Sequence, residues 1–370
     1  MSKRVMVFHV PFALDYQSPR ASGIRPVKMR HAFESIGYEV LEVSGNHEQR
    51  QSQIRDLKRR IKAGLRPDFV YSESATNPTG LGEKVTRYTS WSRDIRFLRF
   101  CRKKSIPVGL FYRDIHWVFP EFRQRLSRRQ VALLTWRFRV DLRGYRKALD
   151  VLFLPSAQMK RYLPNSDRYY IYALPPGAEI VPNEPVGGGV QAIYAGGLGN
   201  NYRIHEALRG AELAASSGAN VRFTLCTRGS EWASQGADYC FLVGDWFTVV
   251  HESGEGLDHL YSRSNLGLLF VEPVEYWEFA VPVKLFDYIG HGLPVVASEG
   301  TLAGEMTREL GVGWTIPYSA VAWANLIDQL AQDPSELENK RKRAIDVAGR
   351  HTWEARAQEV ANVLREIDRH

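Results

Sequence analysis

The sequence has 370 residues, of which 44% are hydrophobic and 12% aromatic; this is enough for packed cores and excludes a disordered chain. Its length favours two domains over one. The three cysteines, Cys101, Cys226 and Cys240, have no C-x-x-C spacing, which excludes a disulfide framework or a cysteine zinc cluster and suits a reducing compartment. No apolar run approaches the roughly 20 residues of a membrane-spanning helix, and the first residues resemble a strand more than a signal peptide. We expect a soluble, cytoplasmic protein.

The net charge of +8 is distributed unevenly along the chain. Residues 1–170 contain 34 Lys and Arg against 15 Asp and Glu, an excess of 19 positive charges, whereas the rest contains 15 against 26, an excess of 11 negative charges. A basic half attracts phosphates, whether these belong to a nucleic acid, an anionic membrane surface or an acidic substrate. Charge alone would allow the protein to bind nucleic acid. However, the sequence has no recognised nucleic-acid-binding motif, and we expect no nucleic acid to bind.

Strand and helix patterns alternate along the first half of the chain. Six short, β-rich segments are predicted as strands, at residues 4–10, 38–45, 68–74, 107–114, 151–156 and 169–175. Between them lie helical patterns, one of which has apolar residues at i, i+3, i+4 and i+7: Met29, Ala32, Phe33 and Ile36. The alternation predicts a Rossmann-like domain over residues 1–173, with a parallel sheet between layers of helices.

A stretch rich in Pro and Gly, residues 174–189, is predicted as a linker between domains. The alternation then restarts, with strands predicted at residues 191–198, 221–228, 240–246, 266–271, 293–298 and 312–318. They predict a second Rossmann-like domain over residues 190–350. The closing segment, residues 351–370, has the apolar face of an amphipathic helix: Trp353, Ala357, Val360, Leu364 and Ile367.

The most informative stretch covers residues 282–298, PVKLFDYIGHGLPVVAS. Pro282 suits the first turn of a helix, where its missing N–H has no partner to lose. Lys284, Asp287 and Tyr288 then share one helical face, and the last six residues have the pattern of a buried strand. The N–H groups at such a helix start, together with Lys284, would hold a phosphate, and Asp287 would accept hydrogen bonds from a sugar diol. The stretch therefore indicates a nucleotide-sugar site.

These residues resemble the segment P-x-K-[LF]-x-E-Y-x-x-x-G-x-P-V-[IV]-A of glycosyltransferases with the GT-B fold, especially the family-4-like enzymes. The resemblance implies two Rossmann-like parallel-sheet domains that face each other across a cleft, with the C-terminal helix crossing back to the first domain. It also implies that Asp287 binds the ribose of the nucleotide, and that Val283 and Lys284 lie at the diphosphate and the donor sugar.

One position departs from the pattern of that family. Many members place a glutamate eight residues before the ribose acid, where this chain has Phe279; Glu275 and Glu278 lie nearby but out of register. The other interpretation of the stretch is a helix that only packs, with Lys284 on the surface and Asp287 as its ion-pair partner.

A glycine-bearing turn follows the first predicted strand. Ser22, Gly23 and Pro26 fit a turn into the start of a helix, and the resemblance implies that this loop approaches the donor phosphates and the acceptor. An ordinary turn between a strand and a helix explains the same residues. The neighbouring Arg25 would reach a phosphate or lie on the surface.

The second domain is predicted to open with a similar turn. The resemblance places Gly197 at the donor, because the family pattern Y-x-G-x-[LF] is matched around it. Many members follow this turn with an Arg and a Lys for the pyrophosphate, whereas this chain has Asn200 and Asn201, with Arg203 as the nearby cation. Arg228, at the end of a predicted strand, becomes the candidate for that role, with a surface arginine as the alternative.

A histidine and a carboxylate follow the fourth predicted strand. The resemblance implies that His116 contacts the donor sugar, as a histidine in this neighbourhood does in retaining members. Asp114 is the candidate general base for an inverting enzyme, which must deprotonate the acceptor hydroxyl. The alternative is a structural Arg113–Asp114 pair beside a histidine that bonds only to backbone.

Residues 87–147 are crowded with Arg and Lys and interleaved with Trp and Phe. This combination indicates a surface for anionic lipid headgroups or a polyprenyl-diphosphate acceptor, with a solvated helical face as the alternative. The sequence has no D-x-D and no His or Cys cluster with metal-ligand spacing, so no metal or other cofactor is expected. The leaving diphosphate would instead be stabilised by Lys284, helix N-terminal amides and Arg228.

The resulting hypothesis is a metal-independent glycosyltransferase. It would transfer a hexose-type sugar from a UDP- or GDP-sugar to a saccharide or a lipid-linked saccharide in bacterial envelope polysaccharide or exopolysaccharide synthesis, with peripheral association at the inner face of the cell membrane as a further hypothesis. Two alternatives stay open: a non-catalytic GT-B partner subunit, and a UDP-sugar epimerase or hydrolase of the same fold.

Overall fold

The computed structural model describes residues 4–16, 21–79, 92–124, 126–181, 183–184, 186–199, 202–239 and 244–367, apart from the side chains of residues 21, 22, 121 and 124. The chain divides into two compact units, one formed by Met1–Pro175 with Trp353–His370 and the other by Pro176–Thr352. The chain passes from the first unit to the second inside the predicted linker. Asn200, Asn201, Cys240 and part of the basic run lie outside the described residues.

The first unit contains a six-stranded parallel sheet. Its strands are β1 (Arg4–His9), β2 (Tyr38–Val43), β3 (Val70–Glu73), β4 (Val108–Phe111), β5 (Val151–Leu154) and β6 (Ile171–Ala173), in the order β2-β1-β3-β4-β5-β6. Its helices before the linker are α1 (Ala21–Ser35), α2 (His47–Lys62), α3 (Arg93–Lys103), α4 (Pro120–Gln124) and α5 (Arg128–Tyr145). All six strands predicted in the first half are confirmed.

The second unit repeats this architecture. Its strands are β7 (Val190–Ala195), β8 (Val221–Cys226), β9 (Phe247–Val250), β10 (Leu266–Leu269), β11 (Val295–Ser298) and β12 (Gly313–Ile316), all parallel, in the order β12-β11-β10-β7-β8-β9. Its helices are α6 (His205–Ser216), α7 (Gly229–Gln235), α8 (Glu255–Ser262), α9 (Val283–Gly290), α10 (Leu302–Leu310), α11 (Ala320–Gln332) and α12 (Pro334–Ala348).

One predicted strand is misplaced. Residues 240–246 were expected to form it, but residues 244–246 form a bend and a turn, and β9 begins only at Phe247. Gly244 has φ of +155° and is followed by Asp245, and both residue types favour turns over strands. The strand forms in the Thr-Val-Val run that follows, where β-branched side chains suit the pleated sheet.

The closing helix, α13 (Trp353–Arg365), packs into the core of the first unit. Its predicted apolar face is buried there, together with Met29 and Phe33 of α1. Gly109 of β4 allows a close approach, because a Cβ at this position would lie 2.5 Å from the Phe153 ring and 3.0 Å from Leu364. The C-terminal helix therefore completes the first unit, as the resemblance implies.

A buried polar network fixes the carboxyl end of β1. The Nδ1 atom of His9 lies 2.8 Å from Ser72 Oγ, and its Nε2 atom lies 3.0 Å from Asp94 Oδ1. Arg50 Nε donates to the same carboxylate at 3.1 Å. Burial alone would raise the pKa of Asp94, but the hydrogen bonds and charges of His9 and Arg50 outweigh it and lower this pKa to about 2. Asp94 therefore joins α3 to both α2 and β1 as a charged group.

We expect Asp94→Asn to lower the free energy of unfolding of the first unit by about 3–5 kcal/mol, because it removes the ionised carboxylate that pairs with buried Arg50. The pKa of Asp94 is depressed in the folded state, so its contribution is present above about pH 4 and is lost as the pH falls towards 2. Urea unfolding across this pH range should show the two proteins converging at the acidic end. Asp56→Asn, on the exposed side of α2, is the control and should change stability by less than about 0.5 kcal/mol. Equal stability of wild type and Asp94→Asn at neutral pH would contradict the assignment.

Candidate active site

The topology of the second unit brings three loops to one edge of its sheet. Strand β7 lies between β10 and β8, and all three are parallel, so their carboxyl ends lie side by side. Gly197 follows β7, Arg228 follows β8, and α9 begins after the longer loop that leaves β10. Ligands of open parallel sheets bind at this edge. The sheet order thus brings together three predicted site segments that are far apart in the sequence.

The helix that carries the central motif starts one residue later than predicted. Pro282 is the N-cap, with φ of −71° and ψ of 130°, and α9 follows as Val283–Gly290. Proline has no side-chain acceptor, and Pro282 makes no side-chain cap hydrogen bond. Gly292, with φ of +68°, follows the helix and turns the chain towards β11. The N-terminal amides of α9 therefore lie at the loop edge without a hydrogen bond from the side chain of their N-cap residue.

Tyr288 ties α9 to the end of β7. Its side chain is completely buried, and its hydroxyl accepts a hydrogen bond from Ala195 N at 3.1 Å and lies 3.3 Å from the Ile193 carbonyl oxygen, to which it donates. Gly267 of β10 makes room for the ring, because a Cβ there would lie 2.5 Å from it. The orientation of the whole helix is thus set by one core hydroxyl.

Lys284 and Asp287 form an ion pair with each other. The Lys284 Nζ atom lies 3.0 Å from Asp287 Oδ2, and the two side chains are 30% and 29% exposed. Lys284 Nζ is also 5.7 Å from the centre of the Tyr261 ring. The pair is the one that the packing interpretation expects, yet its partial exposure leaves both groups within reach of a ligand. Both interpretations of the motif are therefore compatible with this geometry.

Glu231, which the sequence analysis did not single out, joins the two neighbouring loops. Its Oε2 atom accepts from Leu198 N at 2.9 Å, and its Oε1 atom pairs with Arg228. A Cβ on Gly197 would lie 2.9 Å from this carboxylate, so glycine permits the close approach. Arg228 itself is 57% exposed and is the N-cap of α7. The spacing of Arg228 and Glu231, i and i+3 at a helix start, is a signal that could have identified the pair.

Phe279 occupies the position that many similar proteins fill with glutamate. It is 2% exposed, and its ring lies 5.2 Å from that of Tyr276. Glu275 and Glu278 are exposed on the 3-10 turn that precedes it. An aromatic core side chain therefore lies at the position where the resembled family pattern has a carboxylate.

In the first unit, Gly23 lies within the first turn of α1, which already begins at Ala21. Gly23 and Pro26 therefore lie inside the helix and not in the turn that was predicted at these residues. Arg25 is buried and not on the surface: its guanidinium lies 3.5 Å from the centre of the Phe111 ring. Its Nε atom is 3.5 Å from Oε1 of the fully buried Glu73. Arg25 is thus part of the core at the ends of β3 and β4.

Asp114 and His116 form a partly buried pair after β4. Asp114 Oδ1 accepts from Ile115 N at 2.6 Å and from His116 N at 3.1 Å, and its Oδ2 atom lies 3.2 Å from His116 Nδ1. This last distance is that of an ion pair, although the angles are not those of a hydrogen bond. Arg113 reaches Glu73 at 3.4 Å. The Asp114 carboxylate therefore lies next to the imidazole of His116. Through its hydrogen bonds to two backbone amides it also fixes the turn that carries this histidine.

Two general features bear on cofactors and location. Across the described residues, no group of three His, Cys, Asp or Glu side chains is placed to hold a metal ion. None of the helices in that part of the chain combines the length and apolarity needed to cross a membrane.

No family model and no curated protein matches the chain, but solved structures do. Sucrose-phosphate synthase from Thermosynechococcus elongatus matches with a TM-score of 0.62 and 14% identity over 99% of both chains. HepE from Anabaena, in complex with UDP-glucose, matches with a TM-score of 0.63 and 12% identity, covering 98% of this chain and 100% of its own. A glycosyltransferase from Rickettsia africae has a TM-score of 0.60 and 12% identity over 99% of both chains.

The chain has the GT-B fold. The similarity extends over both units, so the fold class predicted from a short motif and from the alternation of elements is confirmed. Within this GT-B chain, the loops after β7 and β8, together with α9, carry five of the six predicted donor-binding residues, whereas Gly23 lies in α1 of the first unit. The loop after β4 carries the predicted catalytic pair.

We expect Tyr288→Phe to lower the free energy of unfolding of the second unit by about 1–3 kcal/mol, because it leaves the buried Ala195 N–H without an acceptor. Chemical denaturation measures this loss. Tyr170→Phe, which removes the hydroxyl of an exposed tyrosine, is the control and should leave stability unchanged. A Tyr288→Phe variant as stable as wild type would show that this hydroxyl does not hold α9.

Proposed function

We propose that the protein is a glycosyltransferase that transfers a hexose-type sugar from a UDP- or GDP-sugar to a saccharide or a lipid-linked saccharide. The observation that carries the proposal is the partly exposed Lys284–Asp287 pair on α9, beside Gly197 and Arg228 at one edge of the sheet. This arrangement offers a cation and helix amides for a diphosphate, and a carboxylate one turn away for a sugar diol. The crystal structure of HepE with UDP-glucose supports a nucleotide sugar as the donor.

Donor binding would exchange the partners of the two cations. Without ligand, Lys284 is neutralised by Asp287, and Arg228 by Glu231. A diphosphate at the start of α9 would attract Lys284, which releases Asp287 to accept hydrogen bonds from the ribose hydroxyls. Glu231 would keep its hydrogen bond to the backbone of Leu198. Its ion pair with Arg228 would either remain or break, and in the second case Arg228 would bind the phosphates. Val283 would present its backbone to the diphosphate, because it is the first residue of α9.

We assign the contact with the donor sugar to His116 and a supporting role to Asp114. The Asp114 carboxylate lies 3.2 Å from Nδ1, which leaves Nε2 as the ring nitrogen that we assign to the ligand. In the transfer, the bond between the anomeric carbon and the diphosphate oxygen breaks, and its electrons leave with the nucleoside diphosphate. The acceptor hydroxyl oxygen bonds to the anomeric carbon, and its proton passes to a base. Asp114 would be that base only in an inverting reaction.

The acceptor is proposed from the charge of the first unit. A domain with a large excess of positive charge suits a polyprenyl-diphosphate-linked saccharide, or the anionic membrane that contains it. We therefore propose a metal-independent role in bacterial envelope polysaccharide or exopolysaccharide synthesis, at the cytoplasmic face of the membrane. A UDP-sugar epimerase or hydrolase would act without an acceptor and has no use for this basic surface.

A second candidate is a non-catalytic GT-B subunit that supports a partner enzyme. The buried Phe279 favours it, because the carboxylate of the family pattern is replaced by a core side chain. The two candidates differ in nucleotide affinity, which the transferase requires and a purely supporting subunit lacks.

We expect Lys284→Ala and Asp287→Ala each to weaken binding of the cognate nucleotide, UDP or GDP, by roughly tenfold or more, because each removes a hydrogen bond to a charged group. Isothermal titration calorimetry with both nucleotides is the measurement. Lys342→Ala, on the exposed face of α12, is the charge-matched control for Lys284→Ala. Unchanged affinity in both site variants would reject the assigned donor site, and no affinity in wild type would favour the supporting subunit.

His116→Ala is expected to reduce turnover by roughly a hundredfold while nucleotide affinity stays the same, since His116 is assigned to the sugar and not to the nucleotide. Thermal protection by a panel of nucleotide sugars identifies the donor, and release of the nucleoside diphosphate then reports turnover. His31→Ala, an exposed histidine of the same unit, serves as the control. Full activity of His116→Ala would remove this residue from the mechanism.

A further inference from the structure

A groove of about 450 Å³ in the first unit is lined by four arginines. Three of them, Arg139, Arg143 and Arg146, follow one another at i, i+4 and i+7 along the C-terminal half of α5 and its C-cap residue, Arg146. The fourth, Arg168, belongs to the 3-10 turn Ser166–Arg168, a separate segment that forms the other wall of the groove. The remaining lining residues are Leu142, Pro164, Asn165 and Tyr169. The groove thus concentrates four positive charges on two separate chain segments.

No carboxylate neutralises this groove within the described part of the chain. Asp and Glu are absent from its lining, and none of the four arginines forms an ion pair with a described residue. Asp167 is on the same 3-10 turn as Arg168 but does not line the groove. Other arginines of this unit do have a carboxylate: Arg30 pairs with Glu42, and Arg102, which is 41% exposed, pairs with Asp150. The four exposed arginines of this arginine groove have no such carboxylate among the described residues.

The helix dipole does not account for this arrangement. Cations near a helix C-terminus are favourable, but the C-terminus of α5 is equivalent to only about half a negative charge. One of its carbonyls, that of Leu142, already accepts a hydrogen bond from the Tyr169 hydroxyl at 2.6 Å. This bond also fixes the two walls of the groove relative to each other. Four arginines repel one another, and an anion with several oxygens would relieve that repulsion.

The same helix exposes two apolar side chains. Leu133 is 56% exposed, about two turns before the groove, and Trp136 is 46% exposed, one turn before it. Arg128 and Arg129 are exposed at the N-terminus of α5. A helix with apolar side chains between basic ends is typical of a surface that meets lipid headgroups, where tryptophan and arginine are favoured.

We propose that the arginine groove is a binding site for a phosphate group, and that Leu133 and Trp136 rest against the lipid that carries it. Arg143 and Arg146 would hold the phosphate oxygens from α5, and Arg168 would close the site from the 3-10 turn. This deepens the acceptor side of the proposed function, but it depends only on the arginines of the first unit. The proposed donor site, with Lys284 and Asp287, is not part of it.

The test uses the full chain and the double variant Arg143→Gln/Arg146→Gln. Flotation with vesicles of phosphatidylcholine, with and without phosphatidylglycerol, tests a lipid phosphate; calorimetry with inorganic phosphate tests a soluble one. Arg55→Gln/Arg59→Gln on α2 removes the same charge from another exposed helix of the unit and is the control. The four arginines replaced in the two double variants, Arg143, Arg146, Arg55 and Arg59, are exposed, so both variants should fold. Circular dichroism and UDP titration verify this.

We expect wild type to bind the anionic vesicles in a salt-sensitive manner and the groove variant to bind roughly tenfold or more weakly, with the control close to wild type. A loss seen only with inorganic phosphate would keep the site and assign it to a soluble phosphorylated compound. Equal binding by wild type and the groove variant in both assays, or an equal loss in the control, would overturn the proposal. Because UDP affinity is measured on the same proteins, failure of the donor site would be detected separately.

Discussion

The candidate site depends on one buried hydroxyl, that of Tyr288. It satisfies the last amide of β7 and donates to a carbonyl of the same strand, so α9 cannot rotate without exposing those groups to an apolar core. Lys284, one turn earlier on the helix, and Asp287, the residue before Tyr288, are thereby held at the edge of the sheet. The motif that predicts a binding site therefore also contains a residue, Tyr288, that packs in the core. The tyrosine orients the helix through the core, and the lysine and the aspartate face its exposed side.

The predicted ligand-binding cations are not free in the unliganded protein. Lys284 is paired with Asp287, and Arg228 with Glu231, and both carboxylates belong to the helix that carries or follows the cation. Such pairs are worth little when they are half exposed, typically less than about 1 kcal/mol, so a diphosphate with several oxygens can displace them. The ion pairs keep the cations in position without making them inaccessible. Because the Lys284–Asp287 ion pair is partly exposed and weak, its presence is compatible with both a structural and a binding role of these two residues.

Much of the fold could be predicted from the sequence, because it depends on local patterns. Most β-rich segments and the start of α9, which lies one residue after the expected Pro282, were predicted to within a few residues, since residue type and spacing set them. The strand over residues 240–246 was misplaced because an apolar run looked like a strand although Gly244 and Asp245 favour a turn. The role of Glu231 and the burial of Arg25 were missed for another reason. Their partners are Leu198 and Glu73, and only the folded sheet places them together.

The two groups of cations in this protein differ in a way that bears on what each can bind. At the edge of the second sheet, every cation assigned to the donor has an internal carboxylate, so a ligand must offer more than charge and must fit the amides of α9 as well. At the proposed donor site, this competition would favour a ligand that offers both a diphosphate and a sugar diol. In the arginine groove of the first unit, the described residues provide no competing carboxylate, and side chains such as Arg143 are exposed. Binding there is expected to accept any phosphate of suitable size and to weaken steeply with salt, which suits attachment to a surface more than recognition of one molecule.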